Sequence, residues 1–338
     1  MTLAVRTKIA GIEYHLPEAY ITTEELSSKY PEWSIEQLDK KTGIRERHIA
    51  SASECASDLA VAAASRLFSS SICSPREVDF LLFCTQSADY AIPTTACMMQ
   101  RRLGIPTTAG ALDFNLGCSG FVYGLGLANG LVLSQQATRV LLLTAETYSK
   151  YIADNDKSCR AIFGDGAAAT LITASADGRG MGPFVYGTDG RGAGNLMVKN
   201  SGTRRSEVET HTVDPSMELR DWPPRLEMNG PEMFQFAVDT VPGAVDNLLQ
   251  TAGVTRDEID LFVFHQANAY MLEAVRKASR IPKEKFFISL AKWGNTVSST
   301  IPIALKDAEL TGRLEVGHRV MLVGFGVGYS WAATLIDW

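Results

Sequence analysis

Two stretches of the chain carry a short, uninterrupted run of apolar residues: EVDFLLFCTQSA at 77–88 and EIDLFVFHQANA at 258–269. Such a run, four or five residues long, is typical of a strand that is buried on both faces. Each run follows a stretch whose apolar residues recur with the period of an amphipathic helix. The pattern therefore predicts the same unit twice, a helix followed by a buried strand.

The two units belong to a longer repeat. Further matches occur in the same order and at nearly the same offset: ATRVLLLTAETYS (137–149) with GHRVMLVGFGVGYS (317–330), GDGAAATLIT (164–173) with YSWAATLID (329–337), and glycine-bearing turns that open helices within 115–133 and 293–310. Several matches in one order indicate a duplication. Strands that alternate with helices predict an α/β architecture.

The repeat also predicts the domain organisation. Residues 1–173 form the first half and residues 231–338 the second, while residues 174–230 resemble neither half and are interpreted as an insertion that forms a lid or rim. Two similar halves are expected to pack with pseudo-symmetry. A site between them would draw on loops from both.

Composition excludes several classes of function. The chain has 338 residues, a net charge of −6 and no run rich in Lys or Arg, so a nucleic-acid partner is not expected. No stretch reaches the roughly 18 apolar residues of a membrane span, and the N-terminus lacks the pattern of a secretory signal, which predicts a cytoplasmic protein. The six cysteines show no zinc-ligand spacing, and no metal site is expected.

Cys118 stands apart from the other cysteines because it follows a predicted strand and opens a helix, in NLGCSGFVYG. The positive end of the helix dipole favours the thiolate there, which predicts a pKa below about 8.5. His265 ends an apolar strand, where active-site residues of α/β folds collect. Asn295 lies on a glycine-preceded turn. The alternatives are structural: a small core residue, a hydrogen-bonded histidine and a helix N-cap.

The duplication predicts that these three loops converge, and the trio suits one chemistry. A thiolate can take an acyl group from a thioester and hold it covalently. A neutral histidine and an asparagine amide can then stabilise the enolate formed when a malonyl thioester loses CO₂. The backbone N–H groups of Cys118 and of the turn containing Gly326, Val327 and Gly328 could form the oxyanion hole of the first step.

Along essentially its whole length the chain resembles the β-ketoacyl-acyl-carrier-protein synthases III of the thiolase superfamily. The resemblance rests on these motifs: KTGIRERHIA (41–50), GCSGF (117–121), IFGDGAAA (162–169), HQAN (265–268), GNTVSSTIP (294–302) and FGVGYSW (325–331). It implies a five-layer α-β-α-β-α fold built from two duplicated halves.

The resemblance also implies the reaction and its residues. Cys118 would be acylated from an acyl-CoA, and His265 and Asn295 would decarboxylate a malonyl carrier protein to give a β-ketoacyl carrier protein, CoA and CO₂. Phe163 and Asn268 would line the substrate pocket. The implied partners are an acyl carrier protein and a second copy of the chain, whose Ile92 would close the acyl pocket; no metal or redox cofactor is implied.

Some positions depart from the family pattern. Gln37 stands where a tryptophan is expected, Lys157 where an arginine is, and Val327 replaces the middle glycine of the last turn. These departures leave two alternatives open: a priming ketosynthase or acyltransferase of a secondary pathway with a non-acetyl primer, and a non-catalytic partner subunit.

Basic residues supply two further expectations. Arg276 and Lys277, on the helix after HQAN, are candidate contacts for the carrier protein. Arg204, Arg205 and Arg225 could meet an acidic primer, or else form a solvated rim.

Overall fold

The computed structural model describes residues 6–176, 178–199, 201–204 and 224–338. Within them the strands are β1 (Arg6–His15), β2 (Tyr20–Thr22), β3 (Glu46–His48), β4 (Phe80–Cys84), β5 (Gly110–Phe114), β6 (Arg139–Glu146), β7 (Gly166–Ser175), β8 (Met181–Thr188), β9 (Leu196–Lys199), β10 (Arg225–Met228), β11 (Leu261–Phe264), β12 (Phe286–Phe287), β13 (Arg319–Gly326) and β14 (Ser330–Asp337). The α-helices are α1 (Thr23–Lys29), α2 (Ile35–Thr42), α3 (Ala56–Ser69), α4 (Thr95–Leu103), α5 (Gly120–Leu133), α6 (Lys157–Arg160), α7 (Gly230–Ala252), α8 (Ala269–Ala278) and α9 (Thr300–Leu310).

Two five-stranded sheets have the same topology. The first has the order β1-β7-β6-β4-β5 and the second the order β8-β14-β13-β11-β12. In each sheet the apolar-run strand, β4 or β11, pairs in parallel with its neighbours, whereas β7 and β14 pair antiparallel. β4 and β11 are almost wholly buried, which is why both of their faces are apolar.

Helices cover and separate the sheets. α5 and α9 contact both sheets and form the middle layer, α3 and α4 cover the first sheet, and α7 and α8 cover the second. The layers therefore follow the predicted α-β-α-β-α order.

The segment 174–230 is not wholly an insertion, which corrects the sequence interpretation. β8 lies within it and pairs antiparallel with β14 as the edge strand of the second sheet, the place that β1 takes in the first. β9 and β10 pair with each other as a separate two-stranded sheet. Arg205 and the rest of 205–223 lie outside the described residues.

None of the helices in the described part of the chain combines the length and the apolar character that crossing a bilayer requires.

Candidate active site

One cavity brings Cys118, His265 and Asn295 together where loops of the two halves meet. Its lining consists of Cys118, Ile162, Phe163, Leu196, Met228, Gly230, Met233, Phe236, His265, Ala267, Asn268, Met271, Asn295, Phe325 and Gly326. The inner space is narrow, about 80 Å³, and most of its wall is apolar. The trio comes from both halves: the thiol from the first, the imidazole and the amide from the second.

Cys118 lies between β5 and α5, two residues before the helix begins, and it is 5% exposed. Gly326, the last residue of β13, lies directly against it. A Cβ at Gly326 would stand 2.8 Å from the Cys118 Sγ and 2.6 Å from its Cβ, closer than real contacts allow. A glycine is therefore required at this strand end for the thiol to occupy its position.

The expected depression of the Cys118 pKa is wrong. Burial raises the pKa of the thiol to about 12, and the Glu146 carboxylate adds to the rise. The backbone N–H groups of Val327 and of Cys118 itself act in the opposite direction and do not overcome burial. The resting group is therefore a thiol.

Those two N–H groups are the ones that sequence analysis expected to form the oxyanion hole. Both lie close enough to affect the pKa of the Cys118 thiol. Val327 fits in place of the family's glycine because Gly117 faces it: a Cβ at Gly117 would stand 2.8 Å from a Val327 methyl group. Gly328 has φ +137°, a conformation that side chains rarely adopt.

His265 follows β11 directly and is 2% exposed. Its Nδ1 lies 2.7 Å from the Thr300 hydroxyl at the start of α9. Burial lowers the pKa of His265 to about 3, so the imidazole is neutral at physiological pH. The Thr300 hydroxyl also lies 3.1 Å from the Val297 carbonyl, and when it donates to Nδ1 instead, the ring proton is on Nε2, which is then a donor.

Asn295 is held by its backbone and by its side-chain oxygen. Its backbone N–H donates to the Ile162 carbonyl at 2.9 Å, and its Oδ1 accepts from the Val297 N–H at 2.9 Å. Nδ2 therefore remains free to face His265 Nε2, at 3.5 Å. Asn295 is not the N-cap of α9, because Ser299 takes that position.

The predicted pocket residues fall in different places. Phe163 lines the cavity and forms an isolated bridge with Asn295. Asn268 also lines it, but its Oδ1 caps α8 by accepting from the Met271 N–H at 2.8 Å. Ile92 lies between β4 and α4, is 86% exposed and does not line the cavity of its own chain.

The cavity adjoins a wider opening of about 930 Å³, which we call the mouth. The two share Ile162, Met228, Gly230, Asn268 and Met271, and the mouth is further lined by Trp33, Gln37, Leu38, Lys40, Lys41, Thr42, Ser158, Ala161, Pro231, Phe234, Gln235 and Tyr270. Trp33, which the sequence places out of register with the family's tryptophan, thus reaches the same mouth as Gln37. Lys157, in place of the expected arginine, is ion-paired with Glu32.

The first half of the chain contributes positively charged side chains to the mouth, a feature that sequence analysis missed. Lys40 and Lys41, at the end of α2, are the charged side chains among the described residues that line it. Their position beside the TGIRERH motif was the available signal. The second half contributes Tyr270, 61% exposed and stacked on Phe234 at a centroid distance of 5.2 Å.

The predicted carrier contacts on α8 are engaged elsewhere. Arg276 makes two bonds to the Glu273 carboxylate, at 2.8 and 2.7 Å, and donates to the Ile281 carbonyl at 2.6 Å. Lys277 is exposed and lies 3.3 Å from Glu273. Neither lines the cavity or the mouth. Arg225 lies instead in a separate polar cleft with Lys150, Asp154 and Arg160.

Comparison with known proteins decides the family. Residues 112–190 match the family model for 3-oxoacyl-[acyl-carrier-protein] synthase III, and residues 249–338 match that for its C-terminal part. The β-ketoacyl-[acyl-carrier-protein] synthase III of Caldanaerobacter subterraneus subsp. tengcongensis is 35% identical over 98% of this chain and 97% of that protein. The chain belongs to this family. It is therefore an acyltransferase of the condensing type, and the resemblance inferred from its motifs is confirmed.

Solved structures agree with the assignment. A 3-oxoacyl-(acyl-carrier-protein) synthase III structure is 51% identical, with a TM-score of 0.93 over 98% of this chain and 100% of the other. The synthase from Burkholderia xenovorans LB400 is 32% identical, with a TM-score of 0.90 over 98% of this chain and 93% of the other. The predicted duplicated thiolase-type fold is confirmed, and neither alternative function is favoured.

Proposed function

We propose that this synthase III condenses an acyl-CoA primer with a malonyl carrier protein in two steps, with Cys118 as nucleophile and His265 and Asn295 as the decarboxylation pair. The observation that carries the proposal is the meeting of these side chains from two halves in one narrow cavity with a wide mouth. A narrow channel suits a thioester arm, and a wide mouth suits its bulky carrier.

In the first step the Cys118 Sγ attacks the thioester carbonyl. The C–S bond to CoA breaks as the C–S bond to Cys118 forms, and the thiol proton ends on the departing CoA. Because burial keeps Cys118 protonated, loss of the proton accompanies the attack, and the proton passes to the departing CoA sulfur. The N–H groups of Val327 and Cys118 stabilise the oxyanion.

In the second step the malonyl thioester loses CO₂, and the electron pair of the broken C–C bond forms an enolate. His265 Nε2–H and Asn295 Nδ2–H, whose nitrogens lie 3.5 Å apart, donate to the enolate oxygen. The carbanion attacks the carbonyl carbon of the acyl group on Cys118, and a C–C bond forms as the C–S bond to Cys118 breaks. The Cys118 thiolate released in this way takes a proton from water. This sequence consumes no metal or redox cofactor.

The carrier is expected at the mouth. A carrier-protein partner is acidic, and Lys40 and Lys41 are exposed at the mouth. Opposite charges across an interface chiefly raise the association rate. Arg276 is not proposed as a contact, because its guanidinium is tied to Glu273 and Ile281.

We include a homodimer and a cytoplasmic location in the proposal. β5 is a sheet edge with one free side, and Leu112 on it, Leu127 on α5, Tyr186 on β8 and Ile92 are exposed apolar residues. An open edge with exposed apolar side chains favours pairing with another chain. Light scattering on the purified protein tests this: a mass of one chain would contradict it.

Single-turnover kinetics tests the mechanism. Cys118→Ala should form no acyl-enzyme and no product. His265→Ala and Asn295→Ala should still be acylated but lose roughly 100- to 1,000-fold in condensation, the usual cost of removing an oxyanion donor. Cys159→Ala is the control, because Cys159 is buried outside the cavity lining and should leave both steps intact. Condensation at the wild-type rate in Cys118→Ala would refute the mechanism.

A further inference from the structure

The duplication creates a second place equivalent to the active site. Cys118 stands two residues before α5, and Ser298 stands two residues before α9. Gly326 ends β13, and Glu146 ends β6, the corresponding eight-residue strand of the first sheet. Gln86 and Ser87 lie in the loop after β4, as Ala267 and Asn268 lie in the loop after β11. Ser298 and Glu146 are thus the residues equivalent to Cys118 and Gly326, and the loop after β4 lies beside them.

This second place is filled by a buried carboxylate. Glu146 is 0% exposed, and it accepts hydrogen bonds from the Gln86 N–H at 3.2 and 3.0 Å, the Ser87 hydroxyl at 2.9 Å and the Ser298 hydroxyl at 3.0 Å. Where Gly326 leaves space for the Cys118 thiol, the Glu146 side chain occupies the equivalent space. The first two donors belong to the first half of the chain and the third to the second half.

The three donors connect to the catalytic loops. Ser298 adjoins Val297, whose N–H orients the Asn295 amide. The Gln86 side chain faces the turn before the nucleophile, since a Cβ at Gly117 would stand 2.5 Å from the Gln86 Oε1. A hydrogen bond also joins the Tyr148 hydroxyl to Gln86. One carboxylate therefore links the loop beside the nucleophile to the loop of the decarboxylation pair.

We propose that Glu146 is a positioning residue for condensation, which holds the Asn295 loop of the second half in register with the Cys118 turn of the first. This inference rests on the proposed roles of Cys118 and Asn295. Titratable groups on the elements around Glu146 and Cys118 are the thiol of Cys84, the hydroxyls of Tyr148 and Tyr151, the carboxylate of Asp165 and the imidazole of His265. Glu146 itself becomes negatively charged above its pKa of about 8.

Glu146→Gln keeps the size of the side chain and removes an acceptor. Above its pKa of about 8, Glu146 accepts from all three donors, whereas the amide of the variant would place N–H donors against the fixed Gln86 N–H or the Ser298 hydroxyl, so the two loops lose their common acceptor. Above pH 8 we therefore expect condensation to fall roughly 10- to 100-fold, because small misplacements of reacting groups slow a reaction by such factors. Acylation of Cys118 should be retained, because the amide does not touch the thiol's own backbone donors.

A second readout separates positioning from mere stability. The ionised Glu146 carboxylate raises the pKa of Cys118, so Glu146→Gln should shift the pH profile of Cys118 alkylation by iodoacetamide to lower pH. Glu146→Asp keeps the charge but is shorter, so it should lower condensation without this shift. Ser298→Ala removes the single bond to the second half and should lower condensation less, also without the shift.

The matched control is Asp79→Asn. Asp79 likewise accepts two backbone hydrogen bonds, from the Thr138 N–H at 2.7 Å and the Arg139 N–H at 2.9 Å, but it precedes β4 at the opposite end of the first sheet. It should leave both steps unchanged. Equal losses of acylation and condensation in Glu146→Gln, with an unmoved alkylation profile, would overturn the inference. Absence of an acyl adduct in the wild-type enzyme would instead refute the proposed function.

Discussion

The two halves share a topology, yet their equivalent strand ends carry opposite chemistry. β13 ends in Gly326, and the space it leaves holds the Cys118 thiol beside an open cavity. β6 ends in Glu146, and its carboxylate occupies the equivalent place with bonds to Ser87 and Ser298. One residue at a strand end thus separates the cavity of the proposed nucleophile from a buried polar link. A duplicated fold can thus use one of two equivalent sites for reaction and the other to hold the reacting loops in position.

The largest expected effect concerns the reactivity of the Cys118 thiol, which lies against Gly326. Since burial raises the pKa of Cys118 to about 12, its thiolate fraction should rise about tenfold per pH unit over several units below that value. Alkylation by iodoacetamide, followed by mass spectrometry in a Cys97→Ser background that lacks the exposed thiol, should thus accelerate roughly 1,000-fold between pH 7 and 10. A plateau near pH 8 would show that the site stabilises the thiolate after all.

Adding a side chain at Gly326, the end of β13, should disable the Cys118 site. In Gly326→Ala the new methyl group would lie 2.8 Å from the Cys118 Sγ, so the thiol or the strand must move. We expect acylation to fall roughly 100-fold, measured by single-turnover kinetics. Gly130→Ala is the control: this exposed position in α5 has nothing near a new Cβ, and full activity is expected there. Full activity in Gly326→Ala would contradict the packing argument.

The raised pKa of Glu146 should make the free energy of unfolding depend on pH. Burial raises the pKa of Glu146 from 4.5 to about 8, so the folded protein keeps a proton that the unfolded chain releases. The contribution of Glu146 to the free energy of unfolding is therefore full below pH 4.5 and is lost as the pH rises to about 8.

The slope of this loss is at most about 1.4 kcal/mol per pH unit. Glu146→Gln does not titrate, so the difference in unfolding free energy between it and the wild type should move in the variant's favour from pH 5 to pH 8. Urea denaturation at the two pH values measures it. A difference that stays constant with pH would show that the Glu146 pKa is not raised.

The smallest expected effect lies at the mouth, where the halves again differ. Exposed charges contribute about 0.2–1 kcal/mol each, so Lys40→Ala and Lys41→Ala should each raise the KM for the carrier substrate roughly 1.5- to 5-fold. Arg276→Gln should leave that KM unchanged and lower thermal stability, because it breaks the bonds to Glu273 and Ile281. The reverse result would return the carrier contact to α8.

Much of the fold could be predicted because the two halves share the same pattern of apolar residues. β4, β6, β11 and β13 are strands buried on both faces, and their sequences match in pairs. β8 was not predicted, because it is a partly exposed edge strand. Its sequence therefore has no long apolar run that could be matched with β1. The convergence of the three loops followed from the repeat, since equivalent loops of two stacked halves face each other.

The electrostatics of the site could not be predicted from local sequence. A helix start at Cys118 suggests a stabilised thiolate, but the burial that raises its pKa comes from tertiary packing by β13. The bonds of Glu146 likewise join residues far apart in the chain, such as Ser298. The Arg276 ion pair is different: Glu273 lies three residues earlier on the same helix, a spacing that pairs side chains and is visible in the sequence.

The central claim is that Cys118 carries the acyl group, and intact-protein mass spectrometry after incubation with a panel of acyl-CoAs tests it most directly. We predict a mass increase equal to one acyl group in the wild-type protein and in Cys159→Ala, and none in Cys118→Ala. The acyl group that gives the adduct fastest identifies the preferred primer. An adduct of the same size in Cys118→Ala would place the acyl group elsewhere and contradict the account.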